Sequence, residues 1–264
     1  MNILNVEKVS KTFGEKVLLD KVTLGINKGD KVGIIGVNGT GKSTLLKIIA
    51  GIEEPDEGNV IKGRNVTVTY LAQSSDYAKD ETVLSYVLRG KANASEAKAK
   101  EILNKLGIGA FDSSMDMLSG GQKKRVALAK ALVEPTEVLI LDEPTNDLDI
   151  ETMTILEDYL DSFDGIVITV SHDRYFLDRV VRRIFSFEEN GVIDQYEGGY
   201  TDYINRKKEK GLLEENALLK TKSSSAGKSD SDKTEKEEYK IRNKKLKFSY
   251  NEQREYETIE DDIA

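Results

Sequence analysis

The sequence of 264 residues contains no cysteine and only one histidine. The lack of cysteine excludes disulfide frameworks and thiolate metal sites, and it fits a reducing compartment. The start lacks a basic segment followed by a long apolar one, and no run approaches the ~18 apolar residues that span a bilayer. We therefore expect a cytoplasmic protein that does not insert into a membrane by itself.

Negative charge exceeds positive charge in the body of the chain, whereas positive charge exceeds negative charge over residues 205–247. Residues 1–204 carry 24 Lys and Arg against 33 Asp and Glu, whereas residues 205–247 carry 14 against 8. A mixed run of this kind is either a solvated linker or a segment that binds a polyanion such as RNA or DNA, and composition leaves both interpretations open. We predict a charged flexible linker over residues 205–247.

Apolar runs of strand length alternate with helical patterns through the first 200 residues. Helical spacing follows each of two glycine-rich segments, over residues 42–50 and 122–132. The alternation predicts an α/β core with a buried, mostly parallel sheet. The predicted strands cover residues 31–37, 66–71, 138–141 and 166–170.

Three regions depart from this alternation. The opening segment, interrupted by Gly14 and Asp20, is typical of antiparallel strands. Between Gln73 and Leu118 the apolar spacing is helical, with Ser95 as an N-cap and Gly107 as a stop, so we predict a helical subdomain over about 78–132. Capping-box spacing in residues 248–264 predicts the start of a helix.

The first glycine-rich segment follows a strand and opens a helix, which is the context that a phosphate-binding loop requires. Its glycines let the backbone N–H groups point at phosphates, and the helix N-terminus adds positive potential. Lys42 is predicted to reach the β- and γ-phosphates and Ser43 to bind Mg²⁺. The predicted ATP-binding residues of this segment are Gly36, Val37, Asn38, Gly39, Thr40, Gly41, Lys42, Ser43 and Thr44.

A hydrophobic strand ends in two carboxylates, Asp142 and Glu143. Because strand ends meet at one edge of a parallel sheet, we expect both side chains beside the phosphate loop. Asp142 would hold Mg²⁺ and Glu143 would polarise the water that attacks the γ-phosphate. A strand that ends in Asp-Glu is weak evidence alone and becomes strong when it is paired with the loop.

Three further residues are candidates because of their position. A lone histidine is more often a surface or core residue than a functional one, but His172 directly follows a strand and would reach the γ-phosphate. Gln73 also follows a strand and is predicted to contact Mg²⁺ and the attacking water. Phe13 is predicted to stack on adenine, with a plain core aromatic as the alternative.

Taken together, these motifs occur in the same order as in the ATP-binding-cassette family. The resemblance covers roughly residues 1–204. The resemblance implies a P-loop cassette with a mostly parallel core sheet, an antiparallel β subdomain and a helical signature subdomain. Residues 118–122 match the signature and residues 146–149 the D-loop. The resemblance also implies that the chain pairs head to tail with a second copy or a second cassette. ATP would join the pair, and hydrolysis would release it. The signature residues that would contact the partner's nucleotide are Ser119, Gly120, Gly121 and Gln122.

Residues 144–149, 171–178 and 196–203 resemble the ABC-F branch, soluble cassette ATPases associated with ribosomes and translation. The closest resemblance is to Uup-type members, which carry two cassettes, a basic linker and a C-terminal helical hairpin linked to nucleic-acid binding. The front of the chain resembles the first cassette and the rear resembles the second. This pattern leads to the hypothesis of a one-cassette product of an internal deletion, natural or engineered, truncated within the hairpin.

Two other functions fit the same sequence. One is the ATPase subunit of a membrane transporter, because such subunits are often separate chains and the lack of membrane segments does not discriminate. An ATP-binding fragment with mismatched halves and negligible hydrolysis is the third hypothesis. The presence of both Glu143 and His172 favours an active ATPase over that fragment.

Overall fold

In the computed structural model, residues 2–73 and 76–210 are described, and they lie within the contact unit Met1–Glu215. The predicted helix over 248–264 and most of the predicted linker lie outside the described residues. Strands in the described part are β1 (Asn2–Phe13), β2 (Lys16–Asn27), β3 (Lys31–Ile35), β4 (Glu57–Lys62), β5 (Val68–Leu71), β6 (Val138–Asp142), β7 (Ile166–Val170), β8 (Arg183–Phe187) and β9 (Ile193–Glu197).

The strands form two sheets. One has the order β5-β6-β7-β3-β8-β9, and all its neighbours are parallel except β8 and β9. The other is the antiparallel sheet β2-β1-β4. The predicted α/β cassette with a mostly parallel core and an antiparallel β subdomain is therefore confirmed.

Strand boundaries differ slightly from the prediction. The strand predicted over 31–37 ends at Ile35, because the chain turns into the glycine-rich loop at Gly36, whose φ is 152°. The strand predicted over 66–71 begins at Val68. The strand at 166–170 has the predicted bounds.

Seven α-helices accompany the sheets in the described part of the chain. The predicted helix over 42–50 has its predicted bounds, and the helix predicted from residue 122 begins at Gly120. The predicted cap also forms, because the Ser95 side chain accepts a hydrogen bond from the Lys98 N–H. The helices are α1 (Lys42–Ala50), α2 (Val83–Leu88), α3 (Glu96–Lys105), α4 (Gly120–Leu132), α5 (Ile150–Ser162), α6 (Arg174–Val180) and α7 (residues 200–210).

Alternate residues of the central strands pack into two different cores. Val138 and Ile140 join the cluster that contains α1 and the antiparallel sheet, whereas Leu139 and Leu141 join the cluster that contains α4. All five residues of β6 are buried, as are all five of β7. Because successive side chains of a strand point to opposite faces, burial on both faces requires the continuous apolar runs seen in the sequence.

Helix α7 includes residues 205–210, where the charged linker was predicted to begin. The helix is held by side chains of the core: Tyr203 Oη lies 3.2 Å from Ser186 Oγ, and Lys207 Nζ lies 3.1 Å from Glu188 Oε1. Hydrogen bonding to Tyr203 and to Glu188 raises the pKa of Lys207 to about 12. These contacts explain why helical structure continues into a segment whose composition alone resembles a linker.

No helix in the described residues is long and apolar enough to cross a membrane.

The adjacent aromatic residues Phe176 and Tyr175 give a matched test of the core. Phe176 is 0% exposed and Tyr175 is 88% exposed. Replacing Phe176 by Ala should lower the free energy of unfolding by about 3–5 kcal/mol, because it removes a buried ring and leaves a cavity. Tyr175→Ala should change it by less than about 0.5 kcal/mol. Urea denaturation followed by circular dichroism measures both, and equal effects would contradict the described packing.

Candidate active site

Most of the predicted site residues meet at the carboxyl edge of the parallel sheet. There, the loop after β3, the ends of β6 and β7, and the tip of the antiparallel sheet enclose a cavity of about 580 Å³. In open α/β sheets this edge is where ligands bind. The cavity is lined by Phe13, Lys16, Leu18, Asn38, Gly39, Gly41, Lys42, Ser43, Thr44, Gln73, Asp142, Glu143, Asn146, Val170 and His172.

Lys42 is enclosed by its own loop. Its Nζ donates hydrogen bonds to the main-chain oxygens of Gly36 (2.8 Å) and Val37 (3.1 Å). Burial lowers the pKa of Lys42, while the charges of Glu143 and Asp142 act in the opposite direction. Among the described ion pairs Lys42 has no carboxylate within salt-bridge distance, so its ammonium can be transferred from neutral carbonyls to a phosphate.

Asp142 is fixed by hydroxyl groups from two different elements. Ser43 Oγ donates to Asp142 Oδ1 at 3.1 Å, and Tyr70 Oη donates to Asp142 Oδ2 at 3.0 Å. Burial, together with the Asp142 carboxylate, raises the pKa of Tyr70, so Tyr70 remains a donor. The hydroxyl and carboxylate oxygens of Ser43 and Asp142 are hard ligands, which fit Mg²⁺.

Glu143 has unusual backbone and side-chain surroundings. Its φ is 51°, in the left-handed region that non-glycine residues rarely adopt. Its main-chain N–H donates to Val170 O at 3.0 Å, which ties it to the end of β7. Oε1 lies 3.2 Å from His172 Nε2, and Oε2 is buried without a hydrogen-bond partner. A buried acceptor without a partner is rare, and this carboxylate borders the cavity that contains the phosphate loop, where it can accept a proton from a water.

Phe13 lies at the end of β1 and is 80% exposed, so it is not a core aromatic. Gly36, Val37 and Thr40 lie on the other side of the loop, where they line a second cavity. The signature residues do not line the site cavity. Instead, Ser119 and Gln122 form a capping box at the start of α4.

Sequence reasoning missed several residues of this site. Lys16 lies three residues after Phe13 and donates to the main-chain oxygen of Gly39 at 2.7 Å. Leu18 and Val170 line the cavity without any chemical signature, and Tyr70 contacts it only through Asp142. The sequence signal that could have indicated Lys16 is a basic residue three positions after an aromatic residue in the first hairpin.

A wrapped glycine loop, a buried lysine and strand-end carboxylates within one cavity define a P-loop nucleoside triphosphatase site. The family model described as "ABC transporter" matches residues 19–146. The described domain has the fold of an ATP-binding cassette.

Curated relatives support this assignment over most of the chain. The "Uncharacterized ABC transporter ATP-binding protein YfmR" of Bacillus subtilis is 40% identical over 251 residues, covering 80% of this chain and 40% of its own length. "ATP-binding protein Uup" of Escherichia coli is 34% identical over 264 residues, covering 97% of this chain and 40% of its own length. "Energy-dependent translational throttle protein EttA" of Haemophilus influenzae is 38% identical over 214 residues, covering 78% of this chain and 38% of its own length. The chain thus spans about two fifths of the length of these relatives.

Solved structures of the same fold include the bacterial ABC transporter cassette MJ0796, which was solved as a dimer. It is 27% identical, with a TM-score of 0.65, over 74% of this chain and 98% of that chain. A post-hydrolysis dimer of the same cassette bound to ADP and Pi gives 26% identity and the same TM-score and coverage.

Two lysines of α1 test the phosphate loop. Lys42→Met should raise the Kd for a fluorescent ATP analogue at least about tenfold, because it removes a charge-assisted hydrogen bond to phosphate. Lys47→Met is the matched control, since Lys47 is exposed on the same helix. Fluorescence titration measures both, and similar affinities for the two variants would contradict the assignment of Lys42.

Proposed function

We propose that this chain binds and hydrolyses ATP as a cassette of the ABC-F type and acts as an ATP-driven dimerisation switch. The observation that carries the proposal is the Glu143 carboxylate, with one oxygen beside His172 and the other buried without a partner, at the rim of the phosphate loop. Such a carboxylate can accept a proton from a water that attacks a phosphate bound in the loop.

Each residue of the site has a role in this reaction. Phe13 stacks on adenine, while Lys42 and the loop N–H groups, from Gly36 to Thr44, bind the phosphates. Glu143 orients the attacking water and accepts its proton, and His172 donates a hydrogen bond to the γ-phosphate.

Ser43 and Asp142 are the residues that would hold Mg²⁺, with Gln73 as a further ligand. When bound, Mg²⁺ neutralises charge on the phosphate oxygens. The pair of hard oxygens, already joined by a hydrogen bond of 3.1 Å, fits this ion.

A second copy would complete the site. Ser119, Gly120, Gly121 and Gln122 lie outside the cavity of their own chain. The capping box leaves the N–H groups of Gly120 and Gly121 at the start of α4 available to bind the γ-phosphate held by a partner. The dimers solved for MJ0796 support such a pairing. ATP would join the two copies, or this chain and another cassette, and hydrolysis would release them.

A role in translation is the most specific part of the proposal. It is supported by relatives whose names place them in the ABC-F family or describe a translational throttle. The ribosome, or RNA, is therefore the proposed target, reached in the cytoplasm through the basic residues of 205–247. The transporter-subunit function is the alternative, and the family model's description is what supports it.

The Glu143→Gln variant tests the composite site. We expect it to bind ATP as tightly as the wild type and to accumulate as an ATP-dependent dimer, since water activation is lost and binding is kept. Light scattering coupled to size exclusion, with and without ATP, measures the mass. A variant that binds ATP and remains monomeric would overturn the dimerisation switch.

Cosedimentation with ribosomes separates the two candidate functions. Glu143→Gln with ATP should pellet with ribosomes through a sucrose cushion, because a trapped ATP state would keep its target bound. The same variant without ATP is the control. Absence from the pellet, together with copurification of a membrane protein, would favour the transporter subunit instead.

A further inference from the structure

Lys124 is a buried lysine outside the cavity described above. It lies in the second turn of α4 and is 7% exposed. Its neighbours in sequence, Lys123 and Arg125, are both partly exposed. Lysine is almost never buried without a partner, because removal of an ammonium group from water is costly. The burial of Lys124 therefore requires a compensating interaction.

That interaction is with the segment that carries Gln73. Lys124 Nζ donates a hydrogen bond to the main-chain oxygen of Gln73 at 3.2 Å, while the Gln73 residue lines the site cavity. Burial lowers the pKa of Lys124, and the charges of Asp142, Asp147 and Glu143 act in the opposite direction. The Lys124 ammonium thus links α4 to Gln73, and the negative charges of the site carboxylates stabilise it.

The same helix is close-packed against the D-loop. A Cβ added at Gly121 would lie 3.0 Å from the main-chain oxygen of Asp147. Arg125 Nη1 is 3.9 Å from Asp149 Oδ2, a longer and more exposed contact. Lys123 instead lies over the ring of Tyr77, 5.1 Å from its centroid. Of the three consecutive cations, Lys124 alone reaches the Gln73 main chain.

We propose that Lys124 is a positioning residue that fixes Gln73 relative to the signature end of α4. The hydrogen bond makes the Gln73 segment and the start of α4 move as one unit. This inference rests on the proposed function, in which Gln73 acts in the chain's own nucleotide site and Ser119 contacts the nucleotide that the partner binds. Through Lys124, the positions of these two groups become dependent on each other.

The Lys124→Met variant tests the hydrogen bond between Lys124 and the Gln73 main chain. Lys123→Met is the matched control on the same helix. Methionine keeps much of the buried hydrocarbon and removes the donor. Amide hydrogen exchange of the peptide that contains Gln73, measured without nucleotide by mass spectrometry, should become at least about tenfold faster. Exchange in residues 36–50 should not change. Lys123→Met should leave both peptides like the wild type.

Steady-state kinetics provide the second readout. In Lys124→Met, kcat for ATP hydrolysis should fall at least about tenfold while the Kd for a fluorescent ATP analogue stays within about threefold, since the phosphate loop is intact. Lys124→Arg keeps charged donors and should restore most of kcat and an exchange rate close to that of the wild type. Unchanged exchange around Gln73 in Lys124→Met, or the same losses in Lys123→Met, would overturn the proposal.

A variant that does not fold is replaced by Lys124→Gln, whose shorter neutral amide weakens the contact without leaving the site apolar. It should accelerate exchange around Gln73 severalfold at an unchanged Kd, and wild-type exchange would overturn the proposal. Failure of the proposed function has a different signature. A wild-type protein without ATPase activity would refute hydrolysis, whereas the exchange measurement without nucleotide would still decide whether Lys124 ties α4 to Gln73.

Discussion

The hydrogen bond between Ser43 and Asp142 is the contact at which the two halves of the site are joined. Ser43 belongs to the helix after β3, and Asp142 is the last residue of β6. They can meet because β7 lies between β3 and β6 and all three run in the same direction. Their carboxyl ends share one edge, so residues separated by about a hundred positions converge without a long loop.

Charge balance is the second constraint on this edge. Two buried lysines, Lys42 and Lys124, are both influenced by the charges of Asp142 and Glu143. Burial disfavours the charged form of each lysine, and the carboxylates offset that effect. One lysine is enclosed by the phosphate loop and the other contacts Gln73, so the carboxylates influence both a binding element and a positioning element.

The signature residues lie outside the site cavity of their own chain. The capping box of Ser119 and Gln122 begins α4 away from the cavity. Helix α4 packs in the same hydrophobic cluster as α2 and α3, so the signature belongs to the helical part of the molecule. A cavity with a phosphate loop on one side and no signature of its own fits a site completed by another cassette.

The sequence by itself determined the α/β core, the phosphate loop and the carboxylates of the site. Their signals are local: a strand buried on both faces is a continuous apolar run, and a loop that wraps phosphates needs glycines at fixed spacing. Only the tertiary structure decided that Lys16 and Tyr70 border the site, that Lys124 reaches the Gln73 main chain, and that helix continues through residues 205–210. These features depend on contacts between residues distant in sequence, such as Lys207 with Glu188, and no local pattern encodes a partner that folding alone brings near.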